Sequence, residues 1–420
     1  MLGSVPLTAK AIEDYRPIIG DEAVEEILSL ASGLKGAKVL HINATAFGGG
    51  VAELLSAMVP LMCDLGLDAS WQVITGNDPF FNVTKAMHNS LQGMITQWTP
   101  EMWNIWSEVN RENASRFDED YDFVVVHDPQ PAGLRQMVED SRGRVAGKWL
   151  WRCHIDLTEA QVEVWEFVRS YVQNYDVAIF TMREYVKEGL HGPKVHIVAP
   201  AIDPLSLKNV DIPLATVHEV LARYGVDPAR PMITQVSRFD PWKDPLGVID
   251  AYRIAKKHFP TLQLVMVGSM ANDDPEGWAY YERTLRRAGE DFDIFILSNL
   301  NGVGNVEVNA FQSAAQVVIQ KSLREGFGLT VTEGLWKGRP VVAGAVGGIL
   351  LQVQDGVNGY LVQSVQECAD RLVHLLEQPA LAQSMGEAGR EHVRKNFLIT
   401  RNLRDYLRIF NQLSGYQPSQ

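Results

Sequence analysis

Cysteine is scarce in this sequence: Cys63, Cys153 and Cys368 are the only thiols, they lie far apart, and no CxxC pair occurs. That excludes a disulfide-stapled scaffold and fits a reducing, cytoplasmic setting. Long hydrophobic runs are absent as well. The longest small or apolar stretch, Val341 to Leu351, contains glycines and is too short to span a bilayer. The opening segment "MLGSVPLTAKAIEDYRP" has no charged n-region leading into an apolar h-region, so no export signal is expected. Without export, the Asn-x-Ser/Thr matches at Asn43, Asn82 and Asn113 are chance ones. Positive charge is in deficit: 38 Lys and Arg against 51 Asp and Glu leave a formal charge of -13. A field of that sign repels nucleic acid and anionic membranes, so neither is an expected partner. A phosphate-bearing ligand would need a local positive pocket within the acidic whole.

What is present is a strand–helix alternation running almost the length of the chain. At 420 residues the prior is two domains. "KVLHINA" (38–44), "ASWQVIT" (69–75), "DFVVVHD" (122–128), "KWLWRCHID" (148–156), "DVAIFTM" (176–182) and "KVHIVAP" (194–200) read as strands. Amphipathic runs such as "AELLSAMVPLMCDLG" and "EAQVEVWEFVRSYVQNY" lie between several of them. After a proline-rich, aperiodic break at 200–213 the pattern restarts with "PMITQVS" (231–237), "LQLVMVG" (262–268), "DIFILS" (293–298), "QVVIQKS" (316–322) and "RPVVAGA" (339–345). Near-continuous Val/Ile runs point to parallel strands buried on both faces. The expected fold class is therefore α/β: two doubly wound, Rossmann-like domains facing each other across a cleft, residues 1–206 and 207–397. The amphipathic tail at 398–420 is expected to pack back on the first. Ligands of open α/β sheets bind beyond the C-terminal strand ends, which directs attention to residues just after strands.

Four stretches in such positions carry polar chemistry. "TAFGGGVAELL" (45–55) places Gly48, Gly49 and Gly50 between a strand and a helix, where main-chain amides can approach an anion. It is not GxGxxG, and tight-turn glycines are the plainer alternative. "QVSRFDPWKDP" (235–245) sets Arg238 and Lys243 on one proline-stiffened loop, a pairing suited to a diphosphate or simply a charged surface. "VHDPQPAGL" and "WRCHID" place His127 with Asp128 and His154 with Asp156 at successive strand ends, where acid–base or substrate-orienting groups are found. Their spacing matches no zinc pattern, so no metal site is expected. The DxD matches at Asp118/Asp120 and Asp120/Asp122 precede a strand in a charged loop and read as solvated.

The fifth stretch is "REGFGLTVTE" (324–333). Gly326 and Gly328 disfavour a helix through Glu325. In a helix, residues eight apart would differ by about 80° and about 12 Å of rise, unsuited to a pair acting on one bond. A loop that bends into a helix at Leu329–Thr330 instead presents Glu325 at the loop and Glu333 in the first helical turns. Main-chain amides from Gly328 to Val331 lie between them for phosphate oxygens. Two carboxylates bracketing an anion-binding turn describe a nucleotide-sugar grip; solvated charges and a glycosidase pair are the alternatives.

A strand followed by E-G-F-G-x-x-x-x-E and a helix, with an upstream S-R-x-x-x-x-K loop, resembles the retaining nucleotide-sugar glycosyltransferases of family 4, which have the GT-B fold. "FGGGVAE", "FFNVTKAMHN", "VHDPQPA", "WLWRCHIDL", "QVSRFDPWK", "DDPEGW" and "REGFGLTVTE" resemble the trehalose-forming members, in the same order and over nearly the whole chain. One departure is Gly334, where alanine would be expected after the second glutamate. The resemblance implies that Arg238 and Lys243 hold the donor's diphosphate, with Ser237, Gly326, Phe327, Gly328, Leu329 and Thr330 alongside. Glu325 would hold the transferred sugar, Glu333 the ribose, and main-chain groups at Asn299 and Leu300 the base. Gly48 to Gly50 would approach the phosphates, and His154 the donor sugar near the transferred carbon. Asp128, Asp156, Asn82, Lys85 and His88 would hold the acceptor.

The implied reaction joins a nucleoside-diphosphate glucose (ADP- or UDP-glucose) to free glucose, reversibly, with retention and with closure of the two domains on donor binding. His154, Arg238, Lys243 and Glu325 are the expected catalytic residues. No cofactor is expected, with Mg²⁺ only as a rate aid, and the expected partners are the small-molecule substrates and a second copy of the chain. The rivals are a retaining trehalose phosphorylase, a family 4 transferase with another acceptor, a nucleotide-sugar 2-epimerase and a catalytically silent sugar-nucleotide sensor.

Overall fold

The computed structural model describes residues 2–47, 49–117, 119–270 and 275–415. They divide into two compact units, one built from the residues up to Ala201 together with the tail from Ile399, the other from Ile202–Leu398. The division falls between Ala201 and Ile202 rather than between 206 and 207. The Ile202 amide donates to the Phe397 carbonyl at 2.9 Å, and Ile202 bridges Leu398, which ties the start of the connecting segment into the second unit.

The first unit holds seven strands: β1 (Gly3–Ser4), β2 (Lys38–Asn43), β3 (Asp68–Val73), β4 (Phe123–His127), β5 (Lys148–Arg152), β6 (Val177–Phe180) and β7 (Lys194–Ile197). Their order in the sheet is β1-β3-β2-β4-β5-β6-β7. All pairings are parallel except β1 with β3. This two-residue antiparallel edge is too short to leave a periodic signal in the sequence. "KWLWRCHID" leaves the sheet after Arg152, four residues earlier than the apolar run suggests, so His154 and Asp156 stand on the connection that follows. The helix Gly50–Asp64 starts directly behind β2 and lays Leu54, Leu55, Met58, Val59, Leu61 and Met62 into the core. The helix Ile399–Ser414 buries Leu403, Tyr406, Leu407 and Phe410 against the same unit. Phe410 stacks on Phe123 of β4 at 4.3 Å, and Asn411 Nδ2 donates to the Leu30 carbonyl at 2.8 Å.

The second unit holds β8 (Met232–Val236), β9 (Gln263–Gly268), β10 (Ile294–Ser298), β11 (Val317–Gln320), β12 (Val341–Gly344) and β13 (Gly359–Val362), in the order β10-β9-β8-β11-β12-β13 and parallel throughout. The four-residue β13 is an edge strand that follows the turn at Gly356–Asn358 and was not expected. The order steps outward from β8 on both sides, so the C-terminal ends of β8 and β11 lie at the switch point where such sheets bind ligands. The core beneath is aliphatic, with Ile233, Val248, Leu264, Val317, Ile319, Val342 and Leu372 fully buried. Among the described residues no helix is long and apolar enough to cross a membrane.

Candidate functional site

In the second unit the strand ends collect the charges. β8 runs into Ser237, whose amide is already bonded to the Val267 carbonyl at 2.9 Å. Arg238 follows, its side chain 60% exposed and 3.2 Å from Asp240. Asp240 caps the short turn Pro241–Lys243, and that turn points Lys243 inward. Lys243 Nζ pairs with Glu325 Oε2, both side chains nearly buried. The same oxygen accepts from Ser322 Oγ at 3.2 Å and Gln320 Nε2 at 3.4 Å. Beside them Lys321 pairs with Asp244, whose φ of 47° makes it a left-handed junction into the next helix. Two residues picked out on separate stretches of sequence thus form one ion pair.

The helix Leu329–Trp336 begins where the glycines of "REGFG" place it. Gly328 opens it at φ 84°, a conformation that a Cβ would strain, and a Cβ there would lie 3.0 Å from Glu325 Cγ. The Val331 amide donates to the Gly328 carbonyl at 3.0 Å, so it is not available to a ligand as the sequence suggested. The amides of Leu329 and Thr330 occupy the first turn, where helices lack internal acceptors. Thr330 Oγ1 donates to Gln320 Oε1 at 3.1 Å. Phe327 turns inward onto Phe397, and its carbonyl accepts from Gln352. Gln352, a fully buried residue with no motif to announce it, thereby anchors the Glu325–Gly328 loop.

Glu333 has a different set of partners. It is 1% exposed, with Lys208 Nζ at 3.5 Å and Gln312 Nε2 at 3.3 Å. Lys337, one turn later, donates to Asn209 at 3.2 Å, and burial holds its ammonium down to about 8. At the end of β10, Asn299 exchanges hydrogen bonds with the Met270 main chain at 2.7 and 3.0 Å, and the Leu300 amide is taken by Ser298 Oγ.

In the first unit three histidines line up. His41 Nδ1 lies 3.0 Å from His127 Nε2, and His127 Nδ1 lies 3.0 Å from His154 Nε2. Burial holds His41 down to about 3 and holds His127 and His154 well below the usual histidine range, so all three are neutral. Asp128 sits at φ 64° directly after β4. Its Oδ1 accepts from the His154 amide at 2.8 Å, and burial pushes its carboxyl up to about 6. Asp156 Oδ1 accepts from the amide and hydroxyl of Thr158 at 2.9 and 2.6 Å, closing a local turn. Asn82, Lys85 and His88 share one face of the helix Asp78–Leu91. Gly49 and Gly50 form the N-terminus of the helix behind β2; Gly48 lies outside the described residues, as do Asp118 and the Asp273 and Asp274 of "DDPEGW".

His41 and the fully buried Arg152 were missed by sequence reasoning, although a histidine and an arginine inside Val/Leu/Trp runs are themselves a signal of buried polar chemistry. Among the described residues, no group of three or more His, Cys, Asp or Glu is placed to hold a metal ion.

Two α/β units with largely parallel sheets and charged side chains collected at the strand ends are the architecture of the GT-B glycosyltransferases. Residues 41–187 match the model of the trehalose synthase N-terminal domain, and 219–392 that of glycosyl transferases group 1. The trehalose synthase of Thermococcus litoralis is 51% identical over 404 residues, covering 96% of this chain and 97% of its own. That of Rubrobacter xylanophilus is 51% identical, covering 99% of this chain and 100% of its own. A trehalose phosphorylase from Pleurotus pulmonarius is 28% identical over 91% of this chain but only 58% of its own length. The crystal structure of an α,α-trehalose 6-phosphate synthase from Burkholderia multivorans superposes with a TM-score of 0.71 at 15% identity, over 90% of this chain and 99% of its own, a likeness of fold. The chain belongs to the trehalose synthase family of glycosyltransferases.

Proposed function

We propose that the protein transfers glucose from a nucleoside-diphosphate glucose to free glucose, reversibly and with retention, giving α,α-trehalose. The Lys243–Glu325 ion pair, at the switch point and beside the first turn of the helix at Leu329, is the observation that carries this reading. A donor divides the pair's partners: the ammonium turns to the diphosphate and the carboxylate to hydroxyls of the transferred sugar. Arg238, exposed on the same loop, and the Leu329 and Thr330 amides take up the charge that develops as the C–O bond to phosphate breaks. Nucleoside diphosphate is a good leaving group, so no strong general acid is required. The attacking hydroxyl's proton passes to the departing phosphate oxygen. His154 meets the donor sugar, while Asp128, Asp156, Asn82, Lys85 and His88 belong to the acceptor side. The reaction carries no organic cofactor, and Mg²⁺ would act only on the donor's diphosphate.

ADP-glucose and UDP-glucose incubated with glucose should yield a disaccharide whose anomeric protons are both α by NMR. Absence of that product with every nucleoside-diphosphate glucose sinks the reading. The Pleurotus likeness motivates one rival, a phosphorylase. Release of glucose 1-phosphate from trehalose and inorganic phosphate, without any nucleotide, would establish the rival instead.

A further inference from the structure

The three histidines come from three adjacent segments, and the strand register explains their alignment. His41 of β2 stands opposite Val125 of β4, and His127 stands opposite Arg152 of β5. His127 is two residues beyond Val125 and His154 two beyond Arg152. Each step therefore moves one strand across and two residues forward, which keeps the side chains on one face of the sheet. The rings stack with centroids 5.4 and 5.3 Å apart, and the Tyr406 ring closes the His41 end at 5.9 Å. The far end, His154, is half-buried.

A neutral imidazole carries one N–H, so within each ring one nitrogen donates and the other accepts. Two N–H···N bonds in series then allow only two proton arrangements, and in both all three rings share one tautomer. The buried end selects between them. His41 Nε2 is buried, and among the described residues nothing bonds to it. An orphaned buried N–H is rarer and costlier than an unfilled acceptor, so the His41 proton belongs on Nδ1.

We propose that His41 and His127 are positioning residues that hold His154 as its Nδ1–H tautomer, Nε2 engaged in the column and Nδ1–H left to donate to an oxygen of the donor. Neutrality is maintained by burial and by the Arg152 guanidinium beside His127 and His154, which disfavours a further proton. Asp128 completes the arrangement by fixing the His154 main chain. This rests on the reading that His154 meets the donor sugar; the column itself does not depend on it.

Long-range ¹H–¹⁵N spectra of the full chain with labelled histidine report which ring nitrogen carries each proton. Free neutral imidazole favours Nε2–H, so three Nδ1–H rings would be a distinctive result, and they are the result expected. A proton on His154 Nε2, or mixed tautomers along the column, overturns the proposal. His41→Phe keeps a ring against His127 but removes the donor. It should release His154 to a mixed tautomer and lower kcat about tenfold, with KM for nucleoside-diphosphate glucose within about twofold. His41→Asn, whose amide can donate to His127 Nε2, should restore both. An unchanged His154 tautomer in folded His41→Phe overturns the column, as does failed rescue in folded His41→Asn. Should His41→Phe not fold, the wild-type spectrum and His41→Asn still decide. His154→Ala separates the two readings: wild-type turnover there sinks the role of His154 at the donor, while the tautomer spectra judge the column independently.

Discussion

Lys243 and Arg238 lie on one loop, yet the structure gives their substitutions different consequences. Arg238 is mostly exposed and its pair with Asp240 is screened by solvent, so Arg238→Ala should cost no more than about 1 kcal/mol of stability and lower turnover by about 10²–10³, the usual cost of removing one charged donor from a developing oxyanion. Lys243→Ala should cost as much turnover and also about 3 kcal/mol of stability, because it takes the paired ammonium from the nearly buried Glu325 carboxylate. Lys243→Met with Glu325→Gln should recover the stability and not the turnover. Urea unfolding and initial rates on the three variants test this; wild-type turnover in Arg238→Ala would remove the diphosphate assignment.

Asp128 is a second case decided by its surroundings. Its folded-state carboxyl titrates at about 6 against an ordinary 3.8, so the fold favours the protonated form. That contribution is fully present below about pH 4 and is lost as the pH rises through 6. Asp128→Asn keeps an acceptor for the His154 amide and tolerates the left-handed backbone. It should come close to wild type at pH 4 and exceed it by about 3 kcal/mol at pH 7. Denaturant midpoints at the two pH values check the sign. These pairings were only partly legible beforehand. Residue type and strand-end position marked Lys243, Glu325, Asp128 and His154, but contact between residues 82 apart in sequence depends on which strands are neighbours.

At the scale of elements, glycine placement made the helix at Leu329 readable, because Gly326 and Gly328 bar an earlier start. Gly334 stands inside that helix, where alanine would be expected. Packing explains it: a Cβ there would lie 3.1 Å from Val318 Cβ, Cγ1 and Cγ2 on the buried strand β11. Alanine gains about 1 kcal/mol of helix propensity but must push into a β-branched side chain that is fully buried. Gly334→Ala should therefore be destabilising by about 1 kcal/mol, and adding Val318→Ala should make the alanine at 334 favourable. Additive effects in the double mutant would refute that account. Conversely β1 stayed invisible, since an edge strand of two residues carries too little periodicity to separate it from a loop, and β13 was passed over because its apolar run is only "YLV", straight after the turn-rich "DGVNG".

At the scale of the molecule, the helix Ile399–Ser414 returns to the unit that the chain left at Ala201. Its Tyr406 and Phe410 cover His41 and Phe123, and Arg404 and Arg408 reach Glu26. Truncation after Leu398 should expose that core. In hydrogen exchange, β2 and β4 should lose protection while β8, β9 and β11 keep it. Equal loss in both units would mean that they do not unfold separately.

The sequence by itself determined the fold class, the two-unit organisation and the stretches that carry chemistry, because strand and helix periods, glycine positions and polar residues at strand ends are local properties. Tertiary structure alone decided which of those residues act together. The Lys243–Glu325 pair, the partners that hold Glu333 and the column from His41 to His154 all depend on strand order and register, which are set by burial of the whole sheet and leave no mark on any single segment.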